Sequence, residues 1–277
     1  MPDQADPAGV VARARGWFEA SYPGAVVHRF FRIELLDRSF ALAAQAFVAL
    51  LPLVIVVVSV FVTDSAETIS NSIGDRFGLD DAARAALRVL FDHPGTAAIS
   101  WLAILISLLS AFSLARRLAR TYALIFEVAP LPRSKSWHGL VWIVLQVSMF
   151  LVASQLRELR QSSGAVLAGV VVVLLLLAWF ATDVAGLRLL VPAAPMQMMV
   201  ASAVVSSLGR AGLAIWAYVY MPKSLTSQAE QYGPIGVTFA LFTYILAGVL
   251  VYVVSPLIVT TWVRWRADRR SAVSVGQ

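Results

Sequence analysis

SFALAAQAFVALLPLVIVVVSVFV, residues Ser39 to Val62, runs for 24 residues without a charged side chain. At about 1.5 Å per residue, a helix of that length reaches roughly 36 Å. A bilayer's hydrocarbon core is ~30 Å thick, so the segment can span it with some tilt. A core helix of a soluble protein shows a polar face, and this stretch has almost none. Gln45 and Pro52 are its marked interruptions. The stretch predicts a transmembrane helix, kinked at Pro52.

The composition agrees. Of the 277 residues, 59% are hydrophobic and 14% charged, with a mean hydropathy of +0.77. Soluble domains run ~45–50% apolar and ~25% charged. The net charge is +6. In a soluble protein that excess would suggest nucleic acid. Here the arginines flank apolar segments, so topology and anionic lipid headgroups are the better reading, with no nucleic acid as partner. The absence of cysteine excludes disulfides, thiolate metal sites and a cysteine nucleophile. Residues 1–38 lack an apolar core followed by a small-residue cleavage site, so Ser39–Val62 is expected to direct insertion itself.

Outward from this segment, five more spans are expected. They are 97–114, 137–153, 164–181, 196–220 and 234–263, giving an all-α, six-helix membrane bundle over residues 39–263. Met1 to Gly16 reads as a polar tail, and Trp17 to Arg38 as an interfacial amphipathic elbow. Residues 63–96 form an outer loop with two short amphipathic helices broken at Gly78. Gln155–Ser163 and Thr182–Pro195 read as loops, and residues 264–277 as a basic tail.

Fifteen of the 22 Lys and Arg fall on the side of the termini and the second-to-third loop, and six fall on the other. The positive-inside rule then places both termini in the cytoplasm.

Arg210 is the one basic residue left inside a span. An arginine near mid-bilayer costs ~2.5–3.5 kcal/mol on insertion scales. It must face the bundle interior or a wet cavity. Ser202, Ser206 and Gly209 put a small, polar face beside it. One reading makes Arg210 the binding partner of an anion or headgroup, with Gln45, Ser206 and Tyr244 as further substrate-binding candidates. The other makes it structural, paired to a carbonyl or to Asp183, or snorkelling outward. Most single intramembrane amides are interhelical hydrogen-bond glue, and Gln45 and Gln146 read first in that way. Tyr244, Gly248, Tyr252 and Pro256 recur every four residues, which suits a packing stripe, with Pro256 a second kink. His28, His93 and His138 are isolated from one another, and no P-loop or GxSxG motif is present. No metal, cofactor or catalytic residue is expected.

The chain resembles the YihY/BrkB family of bacterial inner-membrane proteins, formerly labelled ribonuclease BN. The elbow DRSFALAAQAFVALLPLVIVV (Asp37 to Val57) and YGPIGVTFALFTYILAGVLV (Tyr232 to Val251) carry the resemblance, and the six-span spacing agrees. Many relatives end the last span with Gly-Ala-Glu where this chain has Val254-Ser255-Pro256, so no role for that carboxylate carries over. The resemblance implies a transport-like or envelope-related membrane protein without an agreed substrate. Two functional expectations follow. The first is transport of an anionic solute or lipid-related substrate through a cavity between the first, fifth and sixth spans. The second is a non-transporting scaffold that binds partners through Ser65 to Phe91. A lined polar cavity at Arg210 would favour the first. A packed core with Arg210 paired to protein would favour the second.

Overall fold

The computed structural model describes residues 21–61, 81, 84–85, 97–162 and 164–275. The N-terminal tail and nearly all of the outer loop lie outside these residues. Among the described residues the protein is helical, with no strand. The helices are α1 (Tyr22–Arg32), α2 (Leu35–Phe61), α3 (Ala97–Phe126), α4 (Trp137–Ser162), α5 (Ala165–Leu190) and α6 (Met196–Val275). A short 3-10 turn, Arg133–Lys135, precedes α4.

Ser21 caps α1, its hydroxyl accepting from Gly24 N at 3.3 Å, and Pro23 sits in the first turn, where its missing N–H is harmless. The helix stops at Ile33. Glu34 then takes φ 53, a left-handed conformation that turns the chain into α2. Arg38 Nε closes the corner on Ile33 O at 2.9 Å. The elbow read from the sequence is therefore a helix, a two-residue corner and a long helix. That long helix runs as one element through Pro52.

Among the described residues, three segments are long and apolar enough to cross a membrane: Arg133–Ala153, Val166–Leu190 and Met196–Ser271. Their outward surfaces fit that role. Val166, Leu177, Leu208, Ile215 and Phe239 are all exposed. Apolar surface on this scale would be an aggregation liability in water and is what a lipid-facing exterior requires.

Met196–Val275 is too long to be one span. Gly233 has φ 59 and ψ −140, a conformation essentially reserved for glycine, and it breaks the 80-residue element into two arms. Gly236 shares the turn. A Cβ there would lie 2.1 Å from Gln228 O, so only glycine lets the chain double back so tightly. The arms then pack against each other, Gly209 against Val251 and Gly248 against Leu213.

Two boundaries differ from the expectation. Residues 155–162 continue α4, and residues 182–190 continue α5, where loops were expected. In the second stretch Asp183 is neutralised within the bundle by Arg210, so its charge does not end the helix. The interhelical link after α5 shrinks to Val191–Pro195.

α2 packs on α3 and α6, and α4 on α5. A buried core lies at the end of the bundle near α1. Leu35, Tyr122, Ile125, Leu190, Met199 and Leu257 are all buried there. α1 is clamped to this end by its own side chains. Tyr22 OH donates to Ile258 O at 2.8 Å. The buried Arg29 donates to Thr260 Oγ1 at 2.7 Å, to Thr261 Oγ1 at 3.2 Å and to Ile125 O. It also pairs with Glu127, which binds Arg264 as well.

Candidate functional site

α5 carries Trp179 and Asp183 one turn apart, on one face. The first arm of α6 carries Arg210 toward that face. The two side chains form a two-pronged ion pair. Arg210 Nη1 donates to Asp183 Oδ1 at 2.7 Å, and Nη2 donates to Oδ2. Nη2 also reaches Trp179 O at 3.3 Å. The Asp183 side chain is 4% exposed and that of Arg210 17%, so the pair lies within the bundle.

The second arm and α4 complete the cluster. Tyr252 OH accepts from Arg210 Nη1 at 2.7 Å and from Gln146 Nε2 at 2.9 Å. The guanidinium carbon lies 4.7 Å from the Trp179 ring centre and 5.2 Å from that of Tyr252. A fork-shaped cation between two π faces with a bidentate carboxylate is the arrangement arginine's planar geometry suits best. One network therefore ties α4, α5 and both arms of α6 together.

Pro256 contributes indirectly. It has no N–H to offer the Tyr252 carbonyl one turn back. Tyr122 OH from α3 donates to that carbonyl at 3.4 Å instead. The backbone around Pro256 stays helical, since Gly233 is the one non-helical position inside the element. The break between the arms lies at Gly233, 23 positions earlier.

A cavity of about 10 Å³ opens beside the network, lined in part by Tyr122, Asp183, Ser202, Ser206 and Tyr252. A single water needs ~10–15 Å³, and ligand pockets run ~300–1,000 Å³. In this conformation the site therefore accommodates at most a water. The paired charges also cancel, so an anion reaching Arg210 must compete with Asp183.

Of the substrate-binding candidates singled out in the sequence, Ser206 lines this cavity, and Arg210 bonds Asp183 and Tyr252 of its lining. Gln45 is half-buried on α2, with Oε1 lacking a hydrogen-bond partner among the described residues. Neither Gln45 nor Tyr244 lines the cavity. Tyr252, two turns beyond Tyr244 on the same stripe, is the tyrosine that reaches the guanidinium, and Gln146 is the amide that joins it. The fourfold spacing was the available signal for Tyr252. Asp183 was one alternative partner for Arg210, but its placement in a loop hid that it shares a helix face with Trp179.

No family model, curated protein or solved structure matches this chain.

Proposed function

We propose that this chain is a six-span inner-membrane protein of YihY/BrkB type, with both termini cytoplasmic, that moves or handles an anionic solute or lipid-related substrate. The observation carrying this reading is the intramembrane pair Arg210–Asp183, held by hydrogen bonds from α5 and the second arm of α6. Ionisable residues inside membrane segments are costly and mark substrate or ion pathways by default. In this proposal Asp183 is an internal stand-in for the substrate anion. It neutralises Arg210 in the closed state and yields when an anionic group enters between α5 and the arms of α6. Exchange of one carboxylate partner for another anion keeps the guanidinium paired throughout, which avoids the penalty of a bare buried cation. The reading contains no catalytic step.

The small cavity and complete pairing of Arg210 with protein groups favour a second reading, a non-transporting scaffold whose outer segment, Ser65 to Phe91, holds partners. Mass spectrometry of molecules copurifying with the detergent-extracted protein separates the two. Under the transport reading, wild type carries an enriched anionic species that Arg210→Gln loses. If both carry only bulk lipid and fold equally well, the scaffold reading takes first place.

A further inference from the structure

A second opening lies away from the charge network, on the outer surface between α5 and the start of α6. Its volume is about 720 Å³, and its lining is Phe180, Ala181, Val184, Ala185, Arg188, Met196 and Val200. Six of the seven side chains are apolar. Arg188 is exposed and forms no ion pair among the described residues.

The groove has polarity along its length. Arg188 and Met196 lie at one end, beside the Val191–Pro195 link, and Phe180 and Val200 lie deeper along their helices. Phe180 to Arg188 is eight steps of helix, about 12 Å at 1.5 Å per residue. Half of a ~30 Å hydrocarbon core is about 15 Å. The groove therefore matches one leaflet in depth, with its cation at the headgroup end. His138 Nδ1 lies 3.1 Å from Leu189 O, and Leu187 and Leu190 share a core with Leu35, Ile125 and Leu257. This places Arg188 at the same end of the bundle as Arg29, Glu127 and Arg264. The helix N-terminus at Met196 adds partial positive charge at the rim.

We propose that this groove binds one anionic glycerophospholipid, an acyl chain lying along Phe180, Val184 and Val200 and the phosphate at Arg188. The volume falls in the ~300–1,000 Å³ range of ligand pockets. Charge complementarity selects the occupant: a zwitterionic lipid fills the apolar part equally well and also carries a phosphate, but its ammonium offsets the attraction to the unpaired guanidinium, whereas an anionic headgroup keeps it. The site stands apart from Arg210 and holds whether or not the protein transports.

The test uses the delipidated full-length protein in detergent, titrated with phosphatidylglycerol or phosphatidylcholine and read by native mass spectrometry. Wild type is expected to retain one phosphatidylglycerol with about fivefold preference over phosphatidylcholine, the ratio one arginine near a charged surface confers. Arg188→Gln should lose that preference and still bind both lipids weakly. Ala181→Trp, at an exposed position of the groove wall, should lower occupancy for both. Arg266→Gln, which removes an arginine stacked on Trp262, should leave the first bound lipid unchanged. Thermal unfolding of each variant verifies that it is folded. Retained preference in Arg188→Gln overturns the proposal. So does an equal loss in Arg266→Gln, which would mean diffuse charge attraction, or a dimer that disappears in Ala181→Trp, which would make a second copy the occupant.

Discussion

Asp183→Asn leaves the Arg210 guanidinium buried beside a neutral amide, and Arg210→Gln leaves the carboxylate without a cation. Removing one partner of a buried pair costs ~3–5 kcal/mol, whereas replacing both with well-packed apolar residues is often neutral or stabilising. Each single variant is therefore expected to unfold at markedly lower denaturant in detergent micelles, and Asp183→Leu with Arg210→Met to recover most of the loss. Additive losses would show that the two side chains are not coupled. Tyr252→Phe removes the oxygen on which Gln146 and Arg210 converge, and leaving buried donors unmet costs ~1–3 kcal/mol. Gln146→Leu should then add little in the Tyr252→Phe background, since its partner is already gone, and a full additional loss would contradict the shared bond. Arg210 stood out in the sequence because a cation inside an apolar run has a calculable cost. The sequence offers Asp183 as one partner among several and does not point to Gln146 or Tyr252, because the three lie on three elements and no spacing along the chain encodes a distance across helices. Where a local period existed, on the stripe from Tyr244 to Pro256, it identified a face but not which of its tyrosines reaches the cation.

At the level of elements, apolar runs located the helices and polar residues misplaced their ends. Thr182 to Leu190 carries Asp183 and Arg188, yet it stays helical because one charge is neutralised inside the bundle and the other emerges at its boundary. The hairpin within α6 rests on Gly233, and the cost of forcing a side chain into such a conformation is ~1–3 kcal/mol. Gly233→Ala is expected to lose about that much stability, and Pro256→Ala much less, because the helix is already continuous there and gains an N–H for the Tyr252 carbonyl. Equal losses would mean that Gly233 is not the turn. The corner ending α3 has a different weakness. Glu127 takes φ 55, and Val128 N bonds Ala123 O at 3.0 Å, a helix-end motif that normally uses glycine. Its carboxylate is held to Arg264 and Arg29, and the Arg264 hydrogen bond, with the surrounding arginine charges, lowers its pKa from the ordinary value. A depressed carboxylate contributes stability that is complete above its unfolded pKa and is lost as pH falls through its folded pKa. Acidification below pH 4.5 should therefore loosen the contact between α1, the end of α3 and the end of α6. Because Glu127 is half-exposed, the effect is modest. Hydrogen exchange across Tyr22–Arg32, compared between pH 6 and the acid range, checks it. Glu127→Gln should remove the pH dependence, and an unchanged profile in that variant would assign it to another group.

Across the whole molecule, the basic end is marked by more than charge. Trp262 and Trp265 stack with ring centres 5.6 Å apart, Arg266 and Arg269 lie over them, and Tyr22 meets Trp262 edge-on. Aromatic side chains with basic neighbours collect where a bilayer meets water. This places a boundary near Trp262, so the arm's last turns, which carry Arg269 and Arg270, emerge into solvent. The hairpin at Gly233 must then reach the opposite boundary, since its second arm descends from there through Tyr252 to Trp262. The six crossings proposed above add a stronger requirement: Ser134, before α4, and Ser271 share one side, and Ser227, beside the turn, is on the other. The chain contains no cysteine, so each position can be tested singly without removing native thiols. All three serines are exposed. In intact cells, a membrane-impermeant maleimide should label Ser227→Cys and leave Ser134→Cys and Ser271→Cys unlabelled until the membrane is opened. Labelling of Ser134→Cys with Ser227→Cys would break the six-span order between α4 and α6. Labelling of Ser134→Cys and Ser271→Cys but not Ser227→Cys would keep six crossings and invert the protein. That outcome would place Arg188 and its lipid groove in the outer leaflet, because the groove opens at the end shared by Arg29, Glu127 and Arg264.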